Sequence, residues 1–575
     1  MIKDNYNKIC TILNKSEKRY YKIYFFAFII ISILETLSVG LIPAYFTIIL
    51  DTNLLLEQLK FNEYLYKSIK SLLDNGNIVI YFTLIILVFF FIKFIYSIIF
   101  HYFEAIYFNK IKIRLSTSMA SIYLKKNYLF HSINNPLILG RNITSEVNST
   151  IAYLKSFAIV IKEIIQVCLI LLFFLFANIK ITLLIIFLSG ILTFVYLKTF
   201  SSKLIQKSKI SFLERGEKSK IINQILNSII EVKIYNKSKF FIDKFTRSIT
   251  REFSSNVLFE IVNKLPKLFI EFFIVFLISG SIFFSLYLNL DLVALIPIVA
   301  LYFFAALRVY PSLNAILLNK MALIHGQISI DHIHNEILEK NKNIDDYEDN
   351  NQSVNFESSI ELKNVSFKYK NRKMQLKNID LKINKNEIVG IVGETGSGKS
   401  TLVKIIMGLI DPDSGVINID NTDLKSIKKS WHKKIGYVPQ NFSILDDTIH
   451  ENIIFGDNKD DSNGEKIKKV IQDAYLENFI NTLPEKTKTI VGPDGKQISG
   501  GQAQRLAIAR ALHQDPKLII FDEATNSLDE NTEEEIIKNI YELGKNKTII
   551  IITHKQSLLK NCDKIFKIEE GKLLR

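Results

Sequence analysis

Gly393-Glu394-Thr395-Gly396-Ser397-Gly398-Lys399-Ser400-Thr401 is the stretch on which the reading of this sequence turns. It follows a β-like run, Glu387–Val392, and precedes a helical pattern, Leu402–Leu409. That strand–loop–helix context is what a GxxxxGK[ST] loop needs. The glycines let successive backbone N–H groups turn toward a phosphate, and the following helix N-terminus adds a favourable dipole. Lys399 is placed to reach the β- and γ-phosphates of a nucleotide, and Ser400 to ligate Mg²⁺.

Downstream, Leu518-Ile519-Ile520-Phe521-Asp522-Glu523 is a continuous apolar run ending in two acids, the pattern of a buried parallel strand with functional residues at its C-terminal end. On its own the acidic pair reads as a solvated turn. Paired with the Gly393 loop, it reads as Asp522 holding Mg²⁺ through water and Glu523 polarising an attacking water. Ile498-Ser499-Gly500-Gly501-Gln502 then opens a second helical stretch, Ala503–Leu512.

This part of the sequence resembles the nucleotide-binding domain of ATP-binding-cassette transporters, with Ile498 where their LSGGQ motif has leucine. The resemblance implies ATP and Mg²⁺ as cofactors, and further roles in motif order. Tyr369 matches the aromatic that stacks on adenine, and Gln440, in Tyr437-Val438-Pro439-Gln440, the residue that senses Mg²⁺ and the membrane domain. Ser499, Gly500, Gly501 and Gln502 match the motif that caps the γ-phosphate held by a second subunit. Asp529 matches a loop crossing the dimer interface, and His554 the switch histidine on the γ-phosphate. Gly492-Pro493-Asp494-Gly495 stands where exporters have Gly-Glu-x-Gly, so Pro493 departs from the pattern.

Residues 1–320 differ from this half in being crowded with Ile, Leu, Phe and Tyr. Six apolar stretches are long enough to cross a bilayer as helices: Tyr21–Leu50, Ile78–Phe100, Phe157–Phe176, Ile181–Leu197, Leu268–Leu288 and Leu292–Pro311. The expected fold class is an α-helical transmembrane domain of exporter type followed by an α/β P-loop NTPase domain. The boundaries are 1–325 for the membrane domain, 326–359 for a linker and 360–575 for the cassette.

The net charge of +15 raises the possibility of nucleic-acid binding, but the basic residues concentrate in the connection from His101 to Lys155, opposite the more acidic Asp51–Asn77. That is a positive-inside pattern and argues for no nucleic acid. It places the N-terminus and the cassette on the cytoplasmic side. Cys10, Cys168 and Cys562 have neither disulfide-scaffold nor metal-ligand spacing.

Tyr6, Ile9 and Leu13 fall at helical spacing, as in an interfacial amphipathic helix or a frayed tail. Phe61, Leu65, Ile69 and Leu72 predict an outer-face helix that shields a substrate or caps the bundle. Charged residues within the spans carry more information: Glu35, Lys93, Lys267, Glu271 and Arg308. The cations either snorkel from span ends or line one cavity suited to an anionic cargo.

Glu35-Thr36-Leu37, Pro43, Lys93, Leu265-Pro266-Lys267, Glu271 and Arg308-Val309-Tyr310-Pro311-Ser312 are similar to features of the bacterial flippase for lipid-linked oligosaccharides in protein N-glycosylation. The Gly393 loop and the Ser499 motif must meet across two chains, so a dimer, most simply a homodimer, is expected. This resemblance implies that it is embedded in the lipid of a bacterial inner membrane. It also implies a polyprenyl-pyrophosphate-linked oligosaccharide as cargo, held by Lys93, Lys267 and Arg308. A lipid A, peptide or drug exporter is the alternative, and an ATP-gated regulator or channel is one of another class.

Overall fold

The computed structural model describes the chain except residues 1, 51–77, 178–197, 288–291, 340–353, 370–373, 458–463, 493–496, 525–532 and 575, and scattered positions in 200–215 and 534–544. Some side chains within 39–50, 173–177, 255–287 and 292–310 are likewise not described. Two compact units emerge. The first comprises 1–126 and 133–342; the second comprises 343–575 together with 127–132.

The first unit is helical, with α1 (Ile2–Ile12), α2 (Lys15–Leu50), α3 (Ile78–Leu124), α5 (Val147–Ala177), α6 (Ser238–Tyr287) and α7 (Leu292–Leu338); the short helix α4 (Tyr128–Ile133), between α3 and α5 in sequence, falls in the second unit but for its last residue. At 1.5 Å per residue the 47 residues of α3 reach about 70 Å, more than twice a bilayer's apolar thickness. Its N-terminal half leaves apolar residues uncovered, with Leu84, Phe91 and Phe94 all more than half exposed, whereas its C-terminal half buries Ile111, Leu115 and Met119. Among the described residues, Lys15–Ser38 and Val79–Leu124 are long and apolar enough to cross a membrane.

Several expectations change at this level. Pro311, expected to close the sixth span, lies inside α7, and Pro266 lies inside α6; proline is tolerated within long apolar helices where neighbouring groups take up the freed carbonyl. The linker expected from 326 begins within α7, which runs on to Leu338. The apolar face of α1 is covered by protein rather than left for an interface, with Ile9 and Ile12 almost fully buried and Lys8 paired to Asp331 of α7 at 2.6 Å. Arg114 of α3 fastens the next turn, donating to both carboxylate oxygens of Glu17 and to the Ile12 carbonyl. The outer helix expected at 61–72 and the span at 181–197 lie outside the described residues.

The second unit has two sheets. Strands β1 (Ser359–Lys368), β2 (Met374–Asn384), β4 (Ser414–Ile419) and β5 (Thr422–Asp423) form an antiparallel layer in the order β2-β1-β4-β5. The larger sheet runs β10-β9-β3-β8-β7-β6, built from β3 (Ile388–Val392), β6 (Ile435–Val438), β7 (Leu518–Asp522), β8 (Thr548–Ile552), β9 (Lys564–Glu569) and β10 (Lys572–Leu574). Its strands from β9 to β6 are parallel. β7 and β8 are buried along their whole length, which is why both read as unbroken apolar runs. Two apolar clusters flank this sheet; one contains Trp431 and Leu402, the other Phe521 and Leu506.

Candidate nucleotide site

Parallel strands deliver their C-terminal ends to one edge, and ligands of open α/β sheets bind there. In the order β3-β8-β7-β6 that edge carries the Gly393 loop, His554, Asp522 with Glu523, and Gln440. Residues far apart in sequence are thus neighbours because their strands are.

The loop after β3 turns through left-handed backbone at Gly396 (φ 84°) and Gly398 (φ 115°) and enters α8 (Lys399–Ile406). A Cβ at Gly398 would sit 2.8 Å from Leu376 Cδ2 and 2.9 Å from the Gln375 carbonyl, so both space and conformation require glycine. Gln375 fixes the loop from outside, donating to the Gly396 carbonyl at 3.0 Å. Lys399 Nζ donates to the carbonyls of Gly393 (2.6 Å) and Glu394 (3.0 Å), and lies 3.4 Å from His554 Nε2. Burial pulls its ammonium below the usual lysine range, against the opposing pull of Glu523 and Asp522. The Ser397 hydroxyl is buried without a hydrogen-bond partner. A phosphate cradled by the loop would supply that partner, so the residues present fit the group.

At the end of β7, Tyr437 of β6 donates its hydroxyl to Asp522 Oδ2 at 3.2 Å. Burial raises the Asp522 carboxyl above the ordinary aspartate value, with the Tyr437 bond working the other way. Glu523 bends sharply off the strand at φ 52°, anchored by its own N–H to the Ile552 carbonyl at 2.9 Å. Its side chain accepts from Gln440 Nε2 at 2.7 Å and lies 3.5 Å from His554 Nε2. One run of contacts therefore links Lys399, His554, Glu523 and Gln440. Among the described residues no three His, Cys, Asp or Glu side chains cluster as a metal cage. Mg²⁺ does not need one, since it is commonly held by one or two carboxylates, waters and substrate phosphates. Asp522, exposed Ser400 and Gln440 are the donors that fit it.

Tyr369 packs edge-on to Phe367 (4.8 Å), its hydroxyl 3.5 Å from Thr401 Oγ1. Ser499 caps α9 (Gly500–His513): its hydroxyl accepts from Gln502 N at 3.2 Å, and Gln502 Oε1 accepts from Ser499 N at 2.8 Å. This capping box aims the free N–H groups of Gly500 and Gly501 outward from the helix start. Asp529 and the Pro493 loop lie outside the described residues.

Among the candidate cargo residues, Lys93 donates to Ser38 of α2 at 3.1 Å and lies 5.5 Å from the Phe90 ring centre. The side chains of Lys267 and Arg308 lie outside the described ones. Sequence reading passed over Lys162 and Glu163 of α5, which pair at 2.9 Å with little exposure, beside buried Gln166. They were detectable, since both fall within Phe157–Phe176. It also missed Tyr437 as the partner of Asp522.

Comparison with known proteins agrees with this geometry. Residues 376–526 match the ABC transporter family. A putative export ATP-binding/permease protein of Rickettsia typhi is 42% identical over 219 residues, covering 38% of each chain. The alpha-hemolysin translocation ATP-binding protein HlyB of Escherichia coli is 42% identical over 220 residues, 37% of this chain and 30% of HlyB. The chain thus spans well under half the length of these relatives. A bacterial Atm1-family ABC exporter solved with ATP bound superposes with a TM-score of 0.75 at 20% identity, covering 96% of this chain and 94% of the other. The chain has the fold of an ABC exporter half-transporter and carries, in its second unit, an ABC transporter ATP-binding domain.

Proposed function

We propose that this protein hydrolyses ATP to drive export or flipping of an amphipathic substrate across a membrane, working as a dimer of identical chains. The observation that carries this reading is the convergence of Lys399, Glu523, His554 and Gln440 on one sheet edge, beside a glycine loop with an orphaned serine hydroxyl. Lys399 exchanges its two loop carbonyls for phosphate oxygens, a replacement that an ammonium makes without reorganising the backbone. Glu523, oriented by Gln440, takes the proton from the attacking water, and His554 beside it orients the γ-phosphate. Mg²⁺, when bound, neutralises charge developing on the phosphates.

The cargo proposed is a polyprenyl-pyrophosphate-linked oligosaccharide in a bacterial inner membrane. It is supported by Lys93, which lies among apolar helices where a cation is costly without a functional partner. A peptide, lipid A or drug exporter is the second reading, favoured by the identity to HlyB, although that identity covers the motor, which says little about cargo. An ATP-gated regulator is a third. The test is reconstitution in proteoliposomes, scoring glycan accessibility on each leaflet beside ATP hydrolysis. ATP-dependent movement of the glycolipid, impaired in Lys93→Ala, Lys267→Ala or Arg308→Ala with basal hydrolysis retained, supports the cargo. Hydrolysis without movement leaves an exporter of another cargo; absence of both contradicts the whole reading.

A further inference from the structure

Residues 127–132 come from the midst of the helical half of the sequence, yet they belong to the second unit. Asn127 starts α4 by accepting the Phe130 N–H at 2.9 Å on its side chain, and Tyr128 and Leu129 pack on the apolar cluster that underlies α8. The Tyr128 ring centre lies 5.1 Å from Lys404 Nζ, an attractive distance for a cation over an aromatic face. Lys404 sits on α8, the helix that begins with Lys399 and Ser400, and its charge acts on Asp522. Tyr128 also lies within electrostatic reach of Tyr437, whose hydroxyl holds Asp522 Oδ2. Tyr437, which bonds Asp522, and Tyr128, which carries Lys404 over its ring, pack on the same apolar cluster, and neither contact passes through Gln440.

We infer that Tyr128 is a positioning residue for the metal end of the nucleotide site: its ring over Lys404, beside Tyr437, sets where Asp522 stands. The inference rests on the proposed ATPase function. A shift of the 127–132 segment would change the hold on Mg²⁺ while leaving the Gly393 loop and its phosphate contacts in place. The segment thereby has a route to the chemistry through metal affinity.

The experiment uses the full chain with a non-hydrolysable ATP analogue and Mn²⁺ in place of Mg²⁺, reading bound metal by electron paramagnetic resonance and analogue affinity separately in EDTA. Tyr128→Ala, Lys404→Met and Tyr437→Phe should each raise the half-saturating Mn²⁺ concentration about threefold or more, with metal-free analogue binding unchanged. Tyr128→Phe keeps the ring and should bind Mn²⁺ like wild type, and the Tyr128→Ala/Lys404→Met double variant should be no worse than either single. Unchanged Mn²⁺ affinity in Tyr128→Ala overturns the inference. So does an equal loss of metal-free analogue binding, which would mean a packing role. A wild type that binds neither analogue nor metal overturns the ATPase reading beneath it.

Discussion

Glu523 and Lys399 stand within one connected group yet do different work, and their variants should separate. Glu523→Gln keeps the phosphate cradle and removes the proton acceptor, so it should retain Mg-ATP while turnover falls about 10²-fold or more. Lys399→Ala should weaken nucleotide binding and turnover together. Equilibrium binding beside single-turnover hydrolysis distinguishes them, and near-normal turnover by Glu523→Gln would remove Glu523 from its role. Asp522 makes a prediction of opposite sign. Burial lifts its carboxyl above the unfolded value, so the folded empty site binds its proton more tightly, and stability is lost as pH rises through the carboxylate range. Asp522→Asn should therefore raise the nucleotide-free Tm at pH 7 and abolish hydrolysis. The Tm gap should close below about pH 4, where Asp522 is protonated in both states. A lower Tm at pH 7 would mean that the Tyr437 bond outweighs desolvation.

Elements explain which of these residues a sequence reveals. The Gly393 loop, the Leu518–Asp522 strand and the Ser499 turn were legible because their requirements are local: glycine where backbone is left-handed, an apolar run where both faces are buried, a small polar residue before a helix. Tyr437 was quoted only as part of a motif, because its bond to Asp522 exists only through the β6–β7 pairing, 85 residues apart in sequence. Tyr128 was invisible for the same reason, at greater separation. α1 was read as interfacial because its periodicity tells that a face is covered, not whether lipid or protein covers it. The cap of α9 offers a test at this scale. Ser499→Ala should cost about 1 kcal/mol of stability. Ser499→Asp should hold the cap and melt as wild type, yet lose hydrolysis, because a carboxylate there opposes an incoming γ-phosphate. If Ser499→Asp hydrolyses ATP normally, the helix start faces no phosphate.

At the scale of the whole molecule, one chain supplies a loop that cradles phosphate and a capped helix start with outward N–H groups, and the account assigns them to two different sites. In the proposed dimer, each site is complete only when a second copy brings its Ser499 turn to the first copy's Gly393 loop, most simply in a symmetric pair. The helical unit has long helices whose apolar sides are exposed, as a membrane-embedded half requires. The direct measurement is a disulfide trap. Cys10, Cys168 and Cys562 are replaced, Ser397 and Gly501 are changed to cysteine, and the protein is oxidised in its membrane with Mg-ATP in a Glu523→Gln background. The account predicts an ATP-dependent covalent dimer of twice the chain's mass, and no dimer when either cysteine is present alone. A chain that binds ATP yet stays monomeric under oxidation, or links equally well without nucleotide, would contradict it.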